Sequence, residues 1–224
     1  MKSRGKHVIA ILIAHVPSGA LRLALYRLLL RYRIGKSCNL GYGVVIAVDS
    51  FIAEQDVTIR RGTCFSGPIA VVLAERTFIG RFNRIECGAG AADAGVRHMN
   101  YTRRFETGSN SLINESHLFD VLGTIVIGRG SWIAGFSSQF LTHGASVMNR
   151  DIRIGDNCFI GSAVRFAPGS SIADRVIVGM GAVVTGEIAA NDVVVAGVPA
   201  RVIKTRDKND NYRFEKTWRT QASS

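Results

Sequence analysis

One histidine in this chain has a sequence setting that suits proton transfer. The chain has five histidines, at positions 7, 15, 98, 117 and 143. His143 lies in the segment Gln139-Phe-Leu-Thr-His-Gly-Ala, between two blocks of regularly spaced apolar residues. An imidazole titrates near neutral pH, so an exposed one can take a proton from a hydroxyl or an amine. A lone histidine is more often a structural residue, so the role of His143 depends on the elements that position it.

An apolar residue that recurs every six positions after His143 indicates what those elements are. The members of the series are Ile154, Ile160, Phe166, Ile172, Val178 and Val184, and the following residue is small in all but the last case. Neither an α-helix nor an alternating strand has this period. A period of six is typical of a hexapeptide β-helix, in which short strands form the faces of a prism and small residues lie at its corners. The sequence therefore predicts an all-β fold, a parallel β-helix.

The same rhythm occurs earlier in the chain, with interruptions. The earlier inward positions are predicted to be Ile34, Leu40, Ile46 and Ile52, then Leu73, Ile79 and Ile85, and then Ile127, Ile133 and the polar Gln139. The phase slips at residues 57–68 and again at residues 89–124. Such slips in a repeat fold are usually loops on one face, and long loops in compact domains are usually functional. We therefore expect residues 89–124 to form a loop insertion that contacts substrate.

Composition limits the class of partner. The chain has 224 residues, 47% of them hydrophobic, and a net charge of +11, which suits anionic glycans, sugar nucleotides, CoA phosphates or a membrane surface. Nucleic acid is not expected, because no binding motif is present and the basic residues are scattered. The four cysteines, at positions 38, 64, 87 and 158, form no C-x-x-C pair. They indicate reduced thiols in a cytoplasmic protein rather than disulfides or a metal site.

The N-terminal residues 1–33 contain two apolar stretches with basic residues. Residues 8–16 are too few to cross a bilayer, and His15 and Pro17 interrupt the pattern of a signal peptide. Ser18 is a suitable N-cap for a helix in residues 21–33. Two interpretations remain open. The segment covers the open end of the β-helix, or it lies on a membrane at the inner face, with arginines reaching lipid phosphates.

Two segments of the chain resemble a known family. The stretch Ile154-Gly-Asp-Asn-Cys-Phe-Ile-Gly-Ser-Ala-Val-Arg-Phe-Ala-Pro-Gly and its continuation to Thr185, followed by Val195-Ala-Gly-Val-Pro-Ala-Arg-Val-Ile-Lys204, are similar to the left-handed β-helix acyltransferases. The nearest branch is that of the maltose, galactoside and polysaccharide O-acetyltransferases. The stretch from Trp132 to Gly144 resembles the coil that carries their catalytic histidine. The likeness is strong over residues 124–204 and weak over residues 34–90.

This resemblance implies a homotrimer with three active sites at subunit interfaces, acetyl-CoA as co-substrate and no metal. His143 would be the general base, with Asn83 and Glu86 as orienting partners and backbone amides of residues 161–163 as oxyanion donors. The residues implied to contact acetyl-CoA are Gly161, Ser162, Ala163, Gly179, Gly181, Ala182, Arg201 and Lys204. Corner sterics alone would also explain the small residues.

The chain departs from the maltose-type enzymes in its apolar, arginine-rich N-terminus and its internal insertion. Within the insertion, the residues that suit a carbohydrate acceptor are Tyr101, Arg103, Arg104 and Asn110. We expect three parts: residues 1–33 as a helical segment, residues 34–204 as the β-helix and residues 205–224 as a tail in which Phe214 and Trp218 anchor a short helix.

The acceptor stays open at this level. The leading hypothesis is acetyl transfer to a sugar hydroxyl of a surface polysaccharide or its precursor. The alternatives are N-acetylation of an amino-sugar nucleotide, O-acetylation of an antibiotic, and a trimeric scaffold without activity. A carbonic anhydrase of the same fold would need three metal-binding histidines, and only His143 lies in a suitable coil.

Overall fold

The computed structural model of the chain describes residues 3–145 and 147–207. Two α-helices, α1 (Ser3–Ala14) and α2 (Gly19–Leu29), precede a parallel β-helix. Ser18 is the N-cap of α2, and its hydroxyl accepts a hydrogen bond from the Leu21 amide, as the sequence predicts. Two 3₁₀-helices, Ala89–Ala92 and Ala94–Met99, lie in a single excursion from the β-helix. No helix in the described ranges is long and apolar enough to cross a bilayer.

The strands of the β-helix are short, and their bounds in chain order are as follows. They are β1 Arg33–Ile34, β2 Asn39–Leu40, β3 Val45–Ala53, β4 Thr58–Ile59, β5 Cys64–Leu73, β6 Phe78–Ile79, β7 Arg84–Glu86, β8 Arg104–Thr107, β9 Leu112–Glu115, β10 Leu118–Asp120, β11 Thr124–Ile127, β12 Trp132–Phe136, β13 Gln139–Leu141, β14 Ile152–Ile154, β15 Phe159–Ile160, β16 Arg165–Phe166, β17 Ser171–Ile172, β18 Ile177–Val178, β19 Val183–Val184, β20 Glu187–Ile188, β21 Val193–Ala196 and β22 Arg201–Thr205.

These strands form three faces, and each coil of the chain visits the faces in turn. The first face contains β1, the second halves of β3 and β5, then β8, β11, β14, β17 and β20. The second face runs from β2 through β4, β6, β9, β12, β15 and β18 to β21 and β22. The third face contains the first halves of β3 and β5, then β7, β10, β13, β16 and β19. Neighbouring strands are parallel except β21 and β22, and the fold is the predicted left-handed parallel β-helix.

The core is a stack of apolar side chains inside the prism. The predicted series from Ile154 to Val184 is confirmed, because each of its members is at most 3% exposed. Phenylalanine rings form part of the stack. The ring centroids of Phe119 and Phe140 lie 4.5 Å apart, and those of Phe140 and Phe166 lie 5.1 Å apart. Aromatic pairs at this spacing add to the stabilisation from apolar burial.

Two inward positions differ from the prediction. Gln139 lies on the outer side of β13, where its Oε1 accepts a hydrogen bond from Arg165, and Phe140 points inward. The register shifts between Ile133 and Phe136, where Gly135 has a φ of +65°. The extra residue moves the repeat by one position. A similar register shift in β3 turns Ile52 outward, so that its neighbours on both sides are buried instead.

The predicted loop at residues 89–124 is shorter in the structure. Only residues 87–103 leave the β-helix, and residues 104–120 form the complete coil β8–β9–β10. The inward residues of this coil do recur every six positions, as Thr107, Ile113, Phe119 and then Ile125. The sequence pattern hid them because the first is polar and the series is two positions out of phase with that of Ile127.

Small residues at the corners are required by the close approach of successive coils. A Cβ on Gly128 would lie 2.3 Å from the carbonyl oxygen of Gly155, and one on Gly41 would lie 2.5 Å from the amide of Arg61. No side chain can be accommodated at such distances. Many corners also place a residue in the left-handed region, for example Asp56, Asn157 and Gly181, where Gly and Asn are tolerated best. Corner sterics therefore explain much of the small-residue pattern.

The interior also contains a polar ladder along the edge between the second and third faces. Asn83 and His117 are buried in successive coils, and the Asn83 Oδ1 accepts a hydrogen bond from the His117 amide at 2.9 Å. The His117 Nδ1 accepts one from the Ser138 amide at 3.1 Å. The Ser138 hydroxyl in turn donates to the carbonyl of Gly161. The ladder links four coils by side-chain hydrogen bonds.

The two helices cover the first coil, as the capping interpretation predicts. The Tyr26 hydroxyl is fully buried, donates to the Val44 carbonyl at 2.8 Å and accepts from the Ile46 amide at 3.2 Å. Tyr32 makes the equivalent contacts to Ile46 and Val48. The guanidinium of Arg22 is buried and donates to the Leu40 carbonyl at 2.7 Å. These groups satisfy backbone atoms that would otherwise form an open sheet edge.

The C-terminal end closes differently. Strand β22 runs antiparallel to β21, reaches Thr205 and is followed by the buried Arg206, which donates to the carbonyl of Arg175. The β-helix domain therefore extends slightly past the expected boundary at residue 204. Most of the predicted tail, including Phe214 and Trp218, lies outside the described residues.

We predict that Tyr26→Phe lowers the free energy of unfolding by about 1–3 kcal/mol, because buried backbone groups lose their hydrogen-bond partner. Urea denaturation at fixed protein concentration measures the change. Tyr42→Phe is the matched control. Tyr42 is 54% exposed, so water can take over any hydrogen bond that its hydroxyl makes. Equal effects of the two substitutions would contradict the capping role of Tyr26.

We predict a further pH dependence of stability from His117. Burial lowers the pKa of this ring to about 4 from an ordinary value of 6.5. The unfolded chain therefore binds the proton more tightly, and stability falls as the pH drops from 7 towards 4, by up to about 3 kcal/mol. His117→Asn retains an acceptor for the Ser138 amide and should flatten this dependence. The exposed His98→Asn is the control, and an unchanged slope in His117→Asn would refute the assignment.

Candidate active site

The central feature of the site is a hydrogen-bonded pair formed by Asp120 and His143. The Nδ1 of His143 lies 2.5 Å from the Oδ2 of Asp120. Asp120 is the last residue of β10, and His143 follows β13, the next strand of the third face. The two strands are parallel and in register, so the carboxylate reaches the ring from the neighbouring coil. The His143 side chain is 60% exposed, whereas that of Asp120 is 18% exposed.

Thr142 holds this pair in place. Its side chain is buried, its hydroxyl donates to the Asp120 carbonyl at 2.6 Å, and the same oxygen accepts from the amides of Leu122 and Gly123. The Thr142 amide also donates to the Asp120 Oδ2 at 3.3 Å. The carboxylate and the histidine backbone are therefore fixed to the same turn. Sequence reasoning did not select Asp120 or Thr142, because 23 and 22 positions separate them from their partners in the neighbouring coil.

This arrangement determines which nitrogen of His143 is available. A carboxylate accepts a hydrogen bond from Nδ1–H and so leaves the lone pair on Nε2. It also stabilises the positive ring that forms when Nε2 takes a proton. The pair is thus suited to accept a proton from a group at the surface of this corner.

The orienting partners expected from the sequence do not contact His143. Asn83 is fully buried and belongs to the interior ladder, where its Nδ2 donates to the carbonyl of Asn114. Glu86 lies on the outer side of the third face next to Asp120, but its carboxylate binds the guanidinium of Arg84 at 2.9 Å. Asn83 cannot reach His143 because its side chain points into the prism, and Glu86 does not reach it because its carboxylate is held by Arg84. Asp120, rather than Asn83 or Glu86, is the residue that contacts the His143 ring.

Two excursions of the chain meet at the corner that carries His143. Residues 87–103 follow β7, and residues 142–145 and 147–151 follow β13, both between the third and first faces. The buried Arg150 joins them, because its Nη1 donates to the carbonyls of Met99 and Met148. Its guanidinium also lies 5.0 Å from the centre of the Tyr101 ring. Tyr101 and Arg103 are thus brought to the same corner as His143.

The other two residues expected to bind acceptor have structural partners elsewhere. Arg104 lies on the outer side of β8 and forms an ion pair with Glu106. Asn110 is a left-handed corner residue between the first and second faces, where its Oδ1 accepts from Arg76 at 2.7 Å. The first was assigned to a loop that is a strand in the structure. The second lies at a different edge of the prism.

Cys87 is near the pair but is not a nucleophile in this setting. It is buried, and burial together with the charge of Asp120 raises the pKa of its thiol to about 11. A thiol in this state carries little thiolate at neutral pH. The corner therefore offers a base without an activated cysteine beside it.

The small residues predicted to contact acetyl-CoA lie along the edge between the second and third faces, whereas His143 lies at the edge between the third and first faces. Ser162 and Ala163 form the corner between β15 and β16, and Gly181 forms the next corner along the axis. Gly181 is exposed, and a Cβ added there would meet nothing within 4 Å. Gly161 and Ala182 are buried, and a Cβ added to Gly161 would lie 2.9 Å from the Met180 amide nitrogen. Gly179 packs against Ala196.

The remaining candidates are near the C-terminal end of this edge. Arg201 and Lys204 lie on β22, the last strand of the second face, and both are exposed. Within one chain, the third face separates this column of small residues and cations from His143. A cavity of about 510 Å³, lined in part by Arg81, Glu115 and Phe136, opens towards the N-terminal end of the same edge.

The repeat and the fold agree with those of known proteins. Residues 151–186 match the family model described as bacterial transferase hexapeptide (six repeats). Galactoside O-acetyltransferase of Escherichia coli (strain K12) is 42% identical over 72 residues, which are 32% of this chain and 35% of that protein. The matched stretch thus spans about a third of the length of the curated relative.

Solved structures show the same fold over most of the chain. A galactoside acetyltransferase in complex with coenzyme A has a TM-score of 0.53 and 19% identity, over 96% of this chain and 88% of that one. A hexapeptide-repeat acetyltransferase from Vibrio cholerae O1 biovar eltor, complexed with acetyl coenzyme A, has a TM-score of 0.51 and 21% identity, over 92% of this chain and 87% of that one. The polySia-specific acetyltransferase NeuO has a TM-score of 0.51 and 16% identity, over 80% and 85%.

Proposed function

We propose that this left-handed hexapeptide-repeat protein is an acetyl-CoA-dependent O-acetyltransferase that acts on a sugar hydroxyl of a surface polysaccharide or its precursor. The observation that carries the proposal is the Asp120–His143 pair on an exposed corner of the β-helix. Three further observations support it: the hexapeptide model match, the galactoside O-acetyltransferase relative and the fold shared with acetyltransferases.

In the proposed reaction, His143 acts as general base in a direct transfer. Its Nε2 takes the proton of the acceptor hydroxyl while Asp120 stabilises the resulting imidazolium. The acceptor oxygen forms a bond to the thioester carbonyl carbon, and the carbon–sulfur bond breaks. The sulfur leaves as a thiol by taking the proton back from His143. No acyl-enzyme is needed, which agrees with the protonated, buried state of Cys87.

The developing oxyanion needs a fixed N–H donor. Two of the three amides considered from sequence already serve the fold, because Gly161 donates to Val178 and Ala163 donates to Phe136. The Ser162 amide makes no such hydrogen bond within the described residues. We therefore assign the backbone amide of Ser162 as the candidate hydrogen-bond donor to the oxyanion.

We propose that acetyl-CoA, the acyl donor, binds along the column formed by Ser162, Ala163 and Gly181. Arg201 and Lys204 would then lie towards its phosphates. The open space at Gly181 fits this assignment, since a pantetheine arm could lie against the backbone there. Guanidinium and ammonium groups are the usual partners of phosphate. Gly179 packs against Ala196 within the column, and Gly161 and Ala182 are buried, so these three residues do not offer contacts to the pantetheine arm.

A homotrimer follows from this assignment. The donor column and His143 lie on different edges of one chain, so a complete site needs the column of one protomer beside the His143 of its partner. A cyclic trimer supplies three such sites by symmetry. The cavity at Arg81, Glu115 and Phe136 would then adjoin the site and offer an aromatic ring and hydrogen-bonding groups to a carbohydrate.

Two of the alternative functions use the same catalytic base, and a third does not account for it. N-acetylation of an amino-sugar nucleotide and O-acetylation of an antibiotic would use the same base, so only acceptor screening separates them. A scaffold without activity would not need a carboxylate paired with an exposed histidine.

We place the enzyme in the cytoplasm, which agrees with the free thiols of its four cysteines.

The donor assignment predicts that the protein binds acetyl-CoA and free CoA at one site per chain, with micromolar affinity. Isothermal titration calorimetry of the purified protein measures both. Gly181→Asn, which tolerates the left-handed φ of +69° at this position, should weaken binding on the order of tenfold or more by filling the space beside the backbone. Thr185→Val, at an exposed position after β19, is the control. A folded protein that binds neither ligand would exclude the transferase assignment and favour the scaffold.

The base assignment predicts that His143→Ala lowers kcat on the order of a hundredfold or more, while acetyl-CoA affinity stays unchanged. Asp120→Asn should lower kcat on the order of tenfold or more, because the ring loses its fixed tautomer. Thiol release with a sugar acceptor selected by screening measures both. His15→Ala, at the far end of the β-helix, is the control. Normal turnover in a folded His143→Ala protein would remove this residue from the mechanism.

A further inference from the structure

The covered end of the β-helix presents an apolar surface that the fold itself does not use. The inner sides of α1 and α2 bury Ala10, Ile13 and Tyr26 against the first coil. The outer sides leave large aliphatic side chains in water, among them Leu12 at 67% and Leu28 at 74% exposure. The residues of this cap face are Val8, Ile11, Leu12, Leu21, Leu28 and Leu29.

The charge of this end of the chain is entirely positive. Residues 1–48 contain eight lysines and arginines and no aspartate or glutamate, whereas residues 49–224 contain twenty basic and seventeen acidic residues. Most of the net charge of +11 therefore belongs to the first fifth of the sequence. Arg27, Arg31, Arg33 and Lys36 are exposed, and none of them forms an ion pair among the described residues.

We propose that the cap face binds the surface of an anionic lipid bilayer. Its leucines would enter the boundary between headgroups and acyl chains, and the nearby arginines would meet lipid phosphates. Neither helix is long enough to span the membrane, so the contact is interfacial. A second copy of the chain is the poorer occupant, because two cap faces in contact would bring two strongly cationic segments together without acidic partners.

This placement constrains the acceptor, a consequence that rests on the proposed function. Four strand steps on the third face separate the first coil from β13, next to His143. At about 4.8 Å each these give roughly 20 Å along the axis. The helix layer adds about 10 Å. The base would then stand roughly 30 Å from the bilayer, so the acceptor that suits it is a glycan chain carried on a membrane lipid, modified away from its lipid-linked end.

The test is flotation of the purified full chain with vesicles of phosphatidylcholine alone or mixed with phosphatidylglycerol. We expect binding to the mixed vesicles only, weakened by salt. Leu12→Ser with Leu28→Ser should weaken it on the order of tenfold or more, and so should Arg31→Glu with Arg33→Glu. Val202→Ser with Ile203→Ser and Arg97→Glu with Arg165→Glu are the matched controls, two exposed aliphatic residues and two exposed arginines outside the cap, and should bind like the wild type.

Two results would overturn the proposal. One is a folded wild-type protein that does not float with the mixed vesicles. The other is a cap variant that binds as well as its control. Self-association that disappears in the leucine variant, without vesicle binding, would assign the face to a second copy. The experiment contains no acetyl-CoA and no acceptor, so its outcome is independent of the calorimetric test of the proposed function.

Discussion

The hydrogen bonds between successive coils are the constraint on which the rest of this protein depends. Parallel strands pair at the spacing of a β-sheet on all three faces, which brings the backbones of neighbouring corners too close for most side chains. The glycine after an inward residue is a consequence of that spacing, as the contact of Gly128 with Gly155 illustrates. The apolar repeat has the same origin, because each inward residue must pack on its counterpart one coil away.

The candidate site uses this regularity and its interruptions. Coil stacking places residues of one column next to each other however far apart they are in sequence, and so brings Asp120 beneath His143. The interruption after β13 then frees the ring to face solvent. Thr142 connects the two, since its hydroxyl binds the turn of the preceding coil. Regular stacking thus provides the precision, and the departure from it provides access.

The two ends of the β-helix solve one problem in different ways. A terminal coil exposes unpaired backbone groups and an apolar core. At the C-terminal end β22 pairs with β21, whereas at the N-terminal end the hydroxyls of Tyr26 and Tyr32 satisfy strand atoms and two helices cover the core. Helices that cover an end necessarily have an outer side. In this chain that side is apolar and surrounded by cations, which makes the cap a candidate for a second role.

The sequence by itself determined the fold class, because a period of six is incompatible with other regular structures and is repeated often enough to survive its irregularities. It also selected His143 and the N-cap Ser18. The register of Gln139, the length of the excursion before β8 and the partner of the histidine were decided only by the tertiary structure. A single left-handed residue such as Gly135 shifts the inward phase without a sequence signal, and coil-to-coil neighbours such as Asp120 and His143 are adjacent only after the chain has wound once around the prism.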